Sequence, residues 1–249
     1  MGILKTITVE YFGNIIREED EINIDGLDVE IVSFTDNNGK FHKKGYKPKD
    51  KYTLKELLER MIEVRGDEGD FNDIDTSDIT SMISLFEYNE TFNGDITGWN
   101  VSKVIDMSHM FAYATSFNQP IGKWKFPKVI DMNGMFKEAS SFNQPIGDWE
   151  FPKVENMEFM FSEATSFNQP IGEWKFPNVI TMRYMFSYAE SFNQPIGDWE
   201  FPNVENMEFM FKEATSFNQD LSKWDLNGKD TTEIFNGCPM VDKYRPKMK

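Results

Sequence analysis

The chain has 249 residues, 39% of them apolar and 15% aromatic, a composition too rich in rings for a disordered polymer. Its 42 acids outnumber its 26 bases, a net charge of -16, so the basic footprint that a direct grip on nucleic-acid phosphate needs is missing. A single cysteine, Cys238, excludes an internal disulfide, and no apolar run is long enough to insert into a membrane as a spanning helix.

The opening residues, MGILKTITVEYFGN, lack the long uncharged core and small-residue cleavage site of a secretory leader, which gives the expectation of a cytoplasmic protein. Met1-Gly2 with Thr6 matches the myristoylation pattern loosely. The alternation of Ile3, Ile7 and Val9 reads more simply as a strand over residues 3–12. A second strand is expected over 27–34, with DNNG at 36–39 as a tight hairpin turn into Lys40, Phe41 and His42. Thr53-Leu54-Lys55-Glu56 has the form of a capping box and opens a helix over 53–64, with Leu57, Leu58, Met61 and Ile62 on its apolar side. Residues 1–52 therefore read as a small β module or N-terminal cap. Residues 53–70 read as a capping helix and linker that cover the first unit of the C-terminal region.

From residue 71 the chain repeats. All six tryptophans fall 25 apart, at Trp99, Trp124, Trp149, Trp174, Trp199 and Trp224. Phe92, Phe117, Phe142, Phe167, Phe192 and Phe217 keep step, as do Met82, Met107, Met132, Met157, Met182 and Met207. The consensus is S-F-N-Q-P-I-G-x-W-x-F-P-x-V-x-x-M-x-x-M-F-x-x-A-x. A finer register of 50 is visible, because WEFPKVENMEFMF at Trp149 returns as WEFPNVENMEFMF at Trp199. Within one copy, F-N-Q-P-I alternates like a short strand, though its Pro withholds a ladder donor. The spacing V-x-x-M-x-x-M-F-x-x-A makes one stripe on a helix of two to three turns. Neither element can bury its face alone, so the reading is an α/β repeat solenoid of 25-residue strand, turn and short-helix rungs over 71–226.

Stacking makes equivalent residues neighbours. The column after Trp alternates in sign at Lys125, Glu150, Lys175 and Glu200, and another does so at Glu158, Arg183 and Glu208, which favours one register. Asn118, Asn143, Asn168, Asn193 and Asn218 are expected to form amide ladders. At the far end Ile234, Phe235 and Cys238 echo the M-F-x-x-A pattern displaced by one residue, and 227–249 reads as a C-terminal cap. Cys238 stands where the other copies have a small Ala, as a structural thiol rather than a nucleophile.

Chemistry is sparse. His42 and His109 are the two histidines, there is no phosphate-binding glycine loop, and no Cys/His cluster has zinc spacing. The expectation is a protein without catalytic residues, cofactor or metal. Two columns stand out as candidate partner-binding residues. His109, Phe159, Tyr184 and Phe209 sit one residue before the M-F pair, on the less buried side of the stripe, as interaction anchors or as rings packing on their neighbours. Asp148, Glu173 and Asp198 form a row of acids before Trp, either a solvated face or one that meets a basic partner or Ca²⁺.

The unit N-V-x-x-M-x-x-M-F-x-x-A-x-S-F-N-Q-x-I-x-x-W resembles the bacterial BspA-type leucine-rich-repeat family (the DUF285, or mycoplasma lipoprotein, repeat) over about residues 71–226. KPKDKYTLKELL at 47–58 and DIDTSDITSM at 73–82 are similar to that family's lead-in. The resemblance implies a leucine-rich-repeat-like solenoid that binds other macromolecules, often at a bacterial surface, with no catalytic residues to carry over. The first residues show neither an export signal nor a lipobox cysteine. Two functions are expected on these grounds. One is a non-enzymatic scaffold that recognises a protein partner along one repeat face. The other is an acidic intracellular inhibitor, of the kind a phage or mobile element carries, that occupies the basic nucleic-acid-binding groove of its target.

Overall fold

A computed structural model describes residues 22–35 and 41–246. The expected strand over 3–12 and the DNNG turn lie outside the described residues. Strands β1 (Val29–Thr35) and β2 (Phe41–Pro48) pair antiparallel, with an irregularity between Val32 and Phe34. Helix α1 spans Lys51–Arg65 and begins two residues before the expected start. Its N-cap is Asp50, not Thr53: the Asp50 carboxylate accepts from the backbone N–H of Tyr52 and Thr53 at 3.0 and 2.9 Å. A carboxylate at the first turn answers both the free N–H groups and the helix dipole, which explains why it takes the cap. Leu54, Leu57, Leu58 and Met61 are buried. The Arg65 guanidinium closes the far end on both Asp73 carboxylate oxygens, at 2.8 and 2.7 Å.

β2 also joins the repeat array. Tyr46 makes a parallel bridge to Ile74, through Tyr46 N–H to the Asp73 carbonyl and Asp75 N–H to the Tyr46 carbonyl, both 2.8 Å. From there each 25-residue copy lies beside the next. Parallel bridges connect Ser81, Asp106, Asp131, Asn156, Thr181, Asn206 and Asp230 in succession. Trp149, Trp174, Trp199 and Trp224 stack at 6.3–6.5 Å with their planes within 7°. Phe86, Phe111, Phe136, Phe161, Phe186, Phe211 and Phe235 form a second ring column at 5.4–5.8 Å. The core is the set of inward residues of every copy: Trp, Phe, Val, Met, Met, Phe, Ala, Phe and Ile, nearly all fully buried. Each aromatic contact of this kind contributes about 0.5–1.5 kcal/mol beyond burial.

Two local expectations are corrected. F-N-Q-P-I is not a ladder strand, and V-x-x-M-x-x-M-F-x-x-A is not a helix; among the described residues, 71–241 contain no helix. The stripe is instead a chain of tight turns. Met160, Ser162 and Ala164 donate back three residues, to Met157, Phe159 and Phe161. The alternate N–H groups of Met157, Phe159, Phe161 and Glu163 cross to the next copy, to the carbonyls of Thr181, Arg183, Met185 and Ser187. Positive φ at Phe159 (54°) and Glu163 (60°) turns the peptide planes so that this division works. An isolated helix of three turns is marginal in water, whereas the stack satisfies every second N–H outside the copy and aligns the rings as well.

The Asn columns also differ from a ladder of amide on amide. From Asn118 to Asn193, each Asn Oδ1 accepts the backbone N–H of the next copy's Asn, as from Asn143 to Asn118 and Asn168 to Asn143 at 2.9 and 3.0 Å. The following Gln amide bonds the same Asn through its carbonyl and its side chain. Of the charge columns, Arg183 Nε lies 2.8 Å from Glu208 Oε2, though its N–H is not aimed into a hydrogen bond, and Glu158 accepts from Thr181. Lys125, Glu150, Lys175 and Glu200 form no ion pair with one another among the described residues. At the end of the array Lys229 Nζ bonds the carbonyls of Phe201 and Val204 at 2.8 and 2.7 Å, and the Cys238 thiol donates to the Phe217 carbonyl at 3.2 Å.

Candidate functional site

The turn conformation decides which side chains leave the core. Ser84, His109, Gly134, Phe159, Tyr184, Phe209 and Glu233 all have φ between 49° and 58°. This left-handed backbone points their side chains along one column at the edge of the stack. Phe159 and Tyr184 stack at 4.8 Å, Tyr184 and Phe209 at 4.7 Å, and all three are half-buried. His109 shares the column but not the ring stack, because Gly134 intervenes. Its imidazole lies over Gly134, where a Cβ would come within 2.8 Å of Nδ1. That nitrogen is buried and has no hydrogen-bond partner among the described residues.

A second left-handed column runs four residues further on, at Tyr88, Tyr113, Glu138, Glu163, Tyr188, Glu213 and Gly237. Tyr88 and Tyr113 stack at 4.5 Å, and Tyr88 is 66% exposed. Cations fill the space between the columns. Lys137 Nζ bonds the Tyr113 hydroxyl at 2.8 Å and lies 5.1 Å over that ring and 5.8 Å over Phe159. Lys212 Nζ lies 5.7 Å over Tyr188 and 5.5 Å over Phe209, and the Arg183 guanidinium lies 4.9 Å over Tyr184. Partial burial works against the Lys137 charge, but the Tyr113 hydroxyl and the acids Glu138 and Glu163 outweigh it, so its pKa rises. Burial and the neighbouring Glu138 charge raise the Glu163 carboxyl. The result is a mixed aromatic and charged face that crosses six copies.

Sequence reasoning singled out the first column and missed Tyr88, Tyr113, Tyr188, Lys137 and Lys212. Their signal was available: the tyrosines recur in register with one another, at multiples of 25 residues. A further exposed apolar column, Ile105, Ile130 and Ile180, was likewise missed, and it borders a shallow groove lined by Glu155, Asn178 and Pro202.

The acidic row lies elsewhere on the copy, beside Trp. Asp148, Glu173 and Asp198 are exposed. Asp198 is already engaged, with Lys223 Nζ 2.6 Å from its Oδ1 and its pKa lowered by that bond. Lys125 Nζ reaches the Asp148 carbonyl, not its carboxylate. Among the described residues no group of three or more His, Cys, Asp or Glu side chains is placed to hold a metal ion, and no helix is long and apolar enough to cross a membrane. Burial raises the pKa of the Cys238 thiol.

The family described as Mycoplasma protein of unknown function, DUF285, matches residues 54–167 and 144–245. No curated protein and no solved structure matches the chain significantly.

Proposed function

The chain belongs to the DUF285 family, and from that premise we propose that it is a non-enzymatic repeat solenoid that binds a protein partner through the face carrying Phe159, Tyr184 and Phe209. One observation carries this reading. Three aromatic side chains occupy left-handed backbone, a conformation that costs a non-glycine residue about 1–2 kcal/mol. Gly134 fills the equivalent place in a neighbouring copy without that cost. Half-exposed rings kept at such positions, with Arg183 and Lys212 across them, have the composition of protein-binding hot spots.

The acidic-inhibitor reading has less behind it, since Lys223 already neutralises Asp198 and the row then contributes only Asp148 and Glu173. The test uses glycine rather than alanine, because glycine suits the backbone. Phe159→Gly with Phe209→Gly removes two anchors and relieves two strained positions, so the fold is expected to keep its stability within about 1 kcal/mol. Affinity capture with this variant is expected to lose the partner that the wild type retains. Undiminished capture by the folded variant refutes the face. Loss of capture instead on charge reversal at Asp148 and Glu173 moves the site to the acidic row.

A further inference from the structure

A separate outward face runs along the copies beside the buried valines. Ile105, Ile130, Glu155, Ile180 and Glu205 hold one position in successive copies, and each donates its backbone N–H to the same position one copy earlier, at 2.8–2.9 Å. Two residues before them stand Lys103, Lys128, Lys153, Asn178 and Asn203. The valine between the two positions is buried in every one of these copies, so both columns point outward on one face. Asn178, Ile180, Asn203 and Glu205 accordingly line a single groove. All ten side chains are exposed, and the three isoleucines are 40–44% exposed in one file. Charge is divided along this face, lysines in the earlier copies and Glu155 and Glu205 in the later ones. Lys103 shares Asp78 with Lys47. The side chains of Lys128, Lys153, Glu155 and Glu205 have no hydrogen bond or ion pair among the described residues.

A net charge of -16 repels a second copy from most of the surface. This face is locally balanced, and a surface with cations at one end and anions at the other is complementary to itself when turned end for end. We propose that the chain forms a two-fold dimer through this face, with the axis passing beside Val154. The rotation reverses the order of the copies and exchanges the two columns. Lys153 then meets Glu155 of the second molecule, and Lys103 meets its Glu205. Lys128 meets Ile180, its aliphatic stem along the apolar side chain and its ammonium free to reach water. Ile130 and Ile105 meet Asn178 and Asn203, and so enter the groove that Ile180, Pro202 and Val204 line. No like charges oppose one another in these pairings, and the symmetry makes each of them twice. An axis half a copy to either side keeps only one kind of ion pair, which selects this register. The exposed isoleucines are covered in the same contact, which explains why they stand in file on a face that the fold itself leaves open.

Sedimentation equilibrium of the full chain over a range of concentrations tests this. The wild type is expected to show a monomer–dimer equilibrium that saturates at the dimer. Lys153→Glu opposes carboxylates across the axis, twice over, and is expected to weaken the dimer about tenfold. Glu155→Lys opposes ammonium groups in the same places and is expected to weaken it to a similar degree. The exchange of both, Lys153→Glu with Glu155→Lys, reverses each ion pair and is expected to restore the affinity of the wild type. A mixture of the two single variants is expected to form a mixed dimer more tightly than either pairs with itself, because each supplies the charge that the other lacks on both sides of the axis. These are exposed positions, and an unchanged unfolding midpoint shows that each variant is folded. A wild type that stays monomeric throughout leaves the face to some other partner and overturns the proposal. So do an assembly that grows past the dimer, single variants that dimerise as tightly as the wild type, and a double exchange or a mixture that fails to recover.

Discussion

Asn143→Ala is the sharpest probe of how the copies are held in register. The Asn143 Oδ1 accepts the backbone N–H of Asn168 at 3.0 Å and Nε2 of Gln169 at 2.9 Å. Gln169 keeps a second acceptor, the Asn143 carbonyl at 2.9 Å, so truncation orphans one donor fully and weakens another. A half-buried donor left without its partner costs about 1–3 kcal/mol, which puts the expected loss near 2 kcal/mol. Two controls fix the mechanism. Asn143→Asp keeps both acceptor contacts and is expected to recover most of the loss. Asn218→Ala, at the exposed end of the column, removes only the acceptor of Val241 N–H at 3.1 Å. Water replaces that contact, so its cost is expected within about 0.5 kcal/mol. Guanidinium unfolding followed by tryptophan emission measures all three by linear extrapolation, and it reports on the stack directly because all six tryptophans lie in it. Equal losses at Asn143 and Asn218, or an Asn143→Asp variant as unstable as Asn143→Ala, refute the argument.

Two other outcomes are expected from the same geometry. Gly147→Ala places a Cβ 2.6 Å from the Pro170 carbonyl oxygen of the next copy, a backbone atom that cannot turn aside; a loss of about 1–3 kcal/mol in the same unfolding assay is expected. Asp78 bonds Lys103 and Lys47, tying β2 to the first copies, and these bonds, that of Lys103 foremost, hold its carboxyl down to about 2. A lowered carboxylate pKa stabilises the fold above its ordinary value of 3.8 and loses that contribution as the pH falls through about 2. Asp78→Asn is therefore expected to lower the unfolding midpoint at neutral pH and to match the wild type near pH 2. A gap that persists there contradicts the assignment.

The sequence by itself determined the period of 25 and the columns of the core, such as those of Trp, Phe and Met, though not the outer columns of Tyr88, Tyr113 and Tyr188 or of Ile105, Ile130 and Ile180. Those come from identity at fixed spacing: once equivalent copies lie side by side, Trp must meet Trp and Asn must meet Asn. It also placed His109, Phe159, Tyr184 and Phe209 in one column on the less buried side of the stripe, as anchors or as rings packing on their neighbours, and the structure stacks Phe159, Tyr184 and Phe209 on one another half-buried. The path of the backbone inside one copy stayed open. Apolar residues at i, i+3, i+6, i+7 and i+10 suit a short helix and a chain of tight turns equally well, because both return a side chain to the same face about every three residues. Only the tertiary structure decides between them, by offering the alternate N–H groups of Met157, Phe159, Phe161 and Glu163 carbonyls on the adjacent copy. That choice sets positive φ at the edge positions and brings Tyr113 and Lys137 beside Phe159. None of these consequences is local, because each depends on where a neighbouring copy places its carbonyl oxygens.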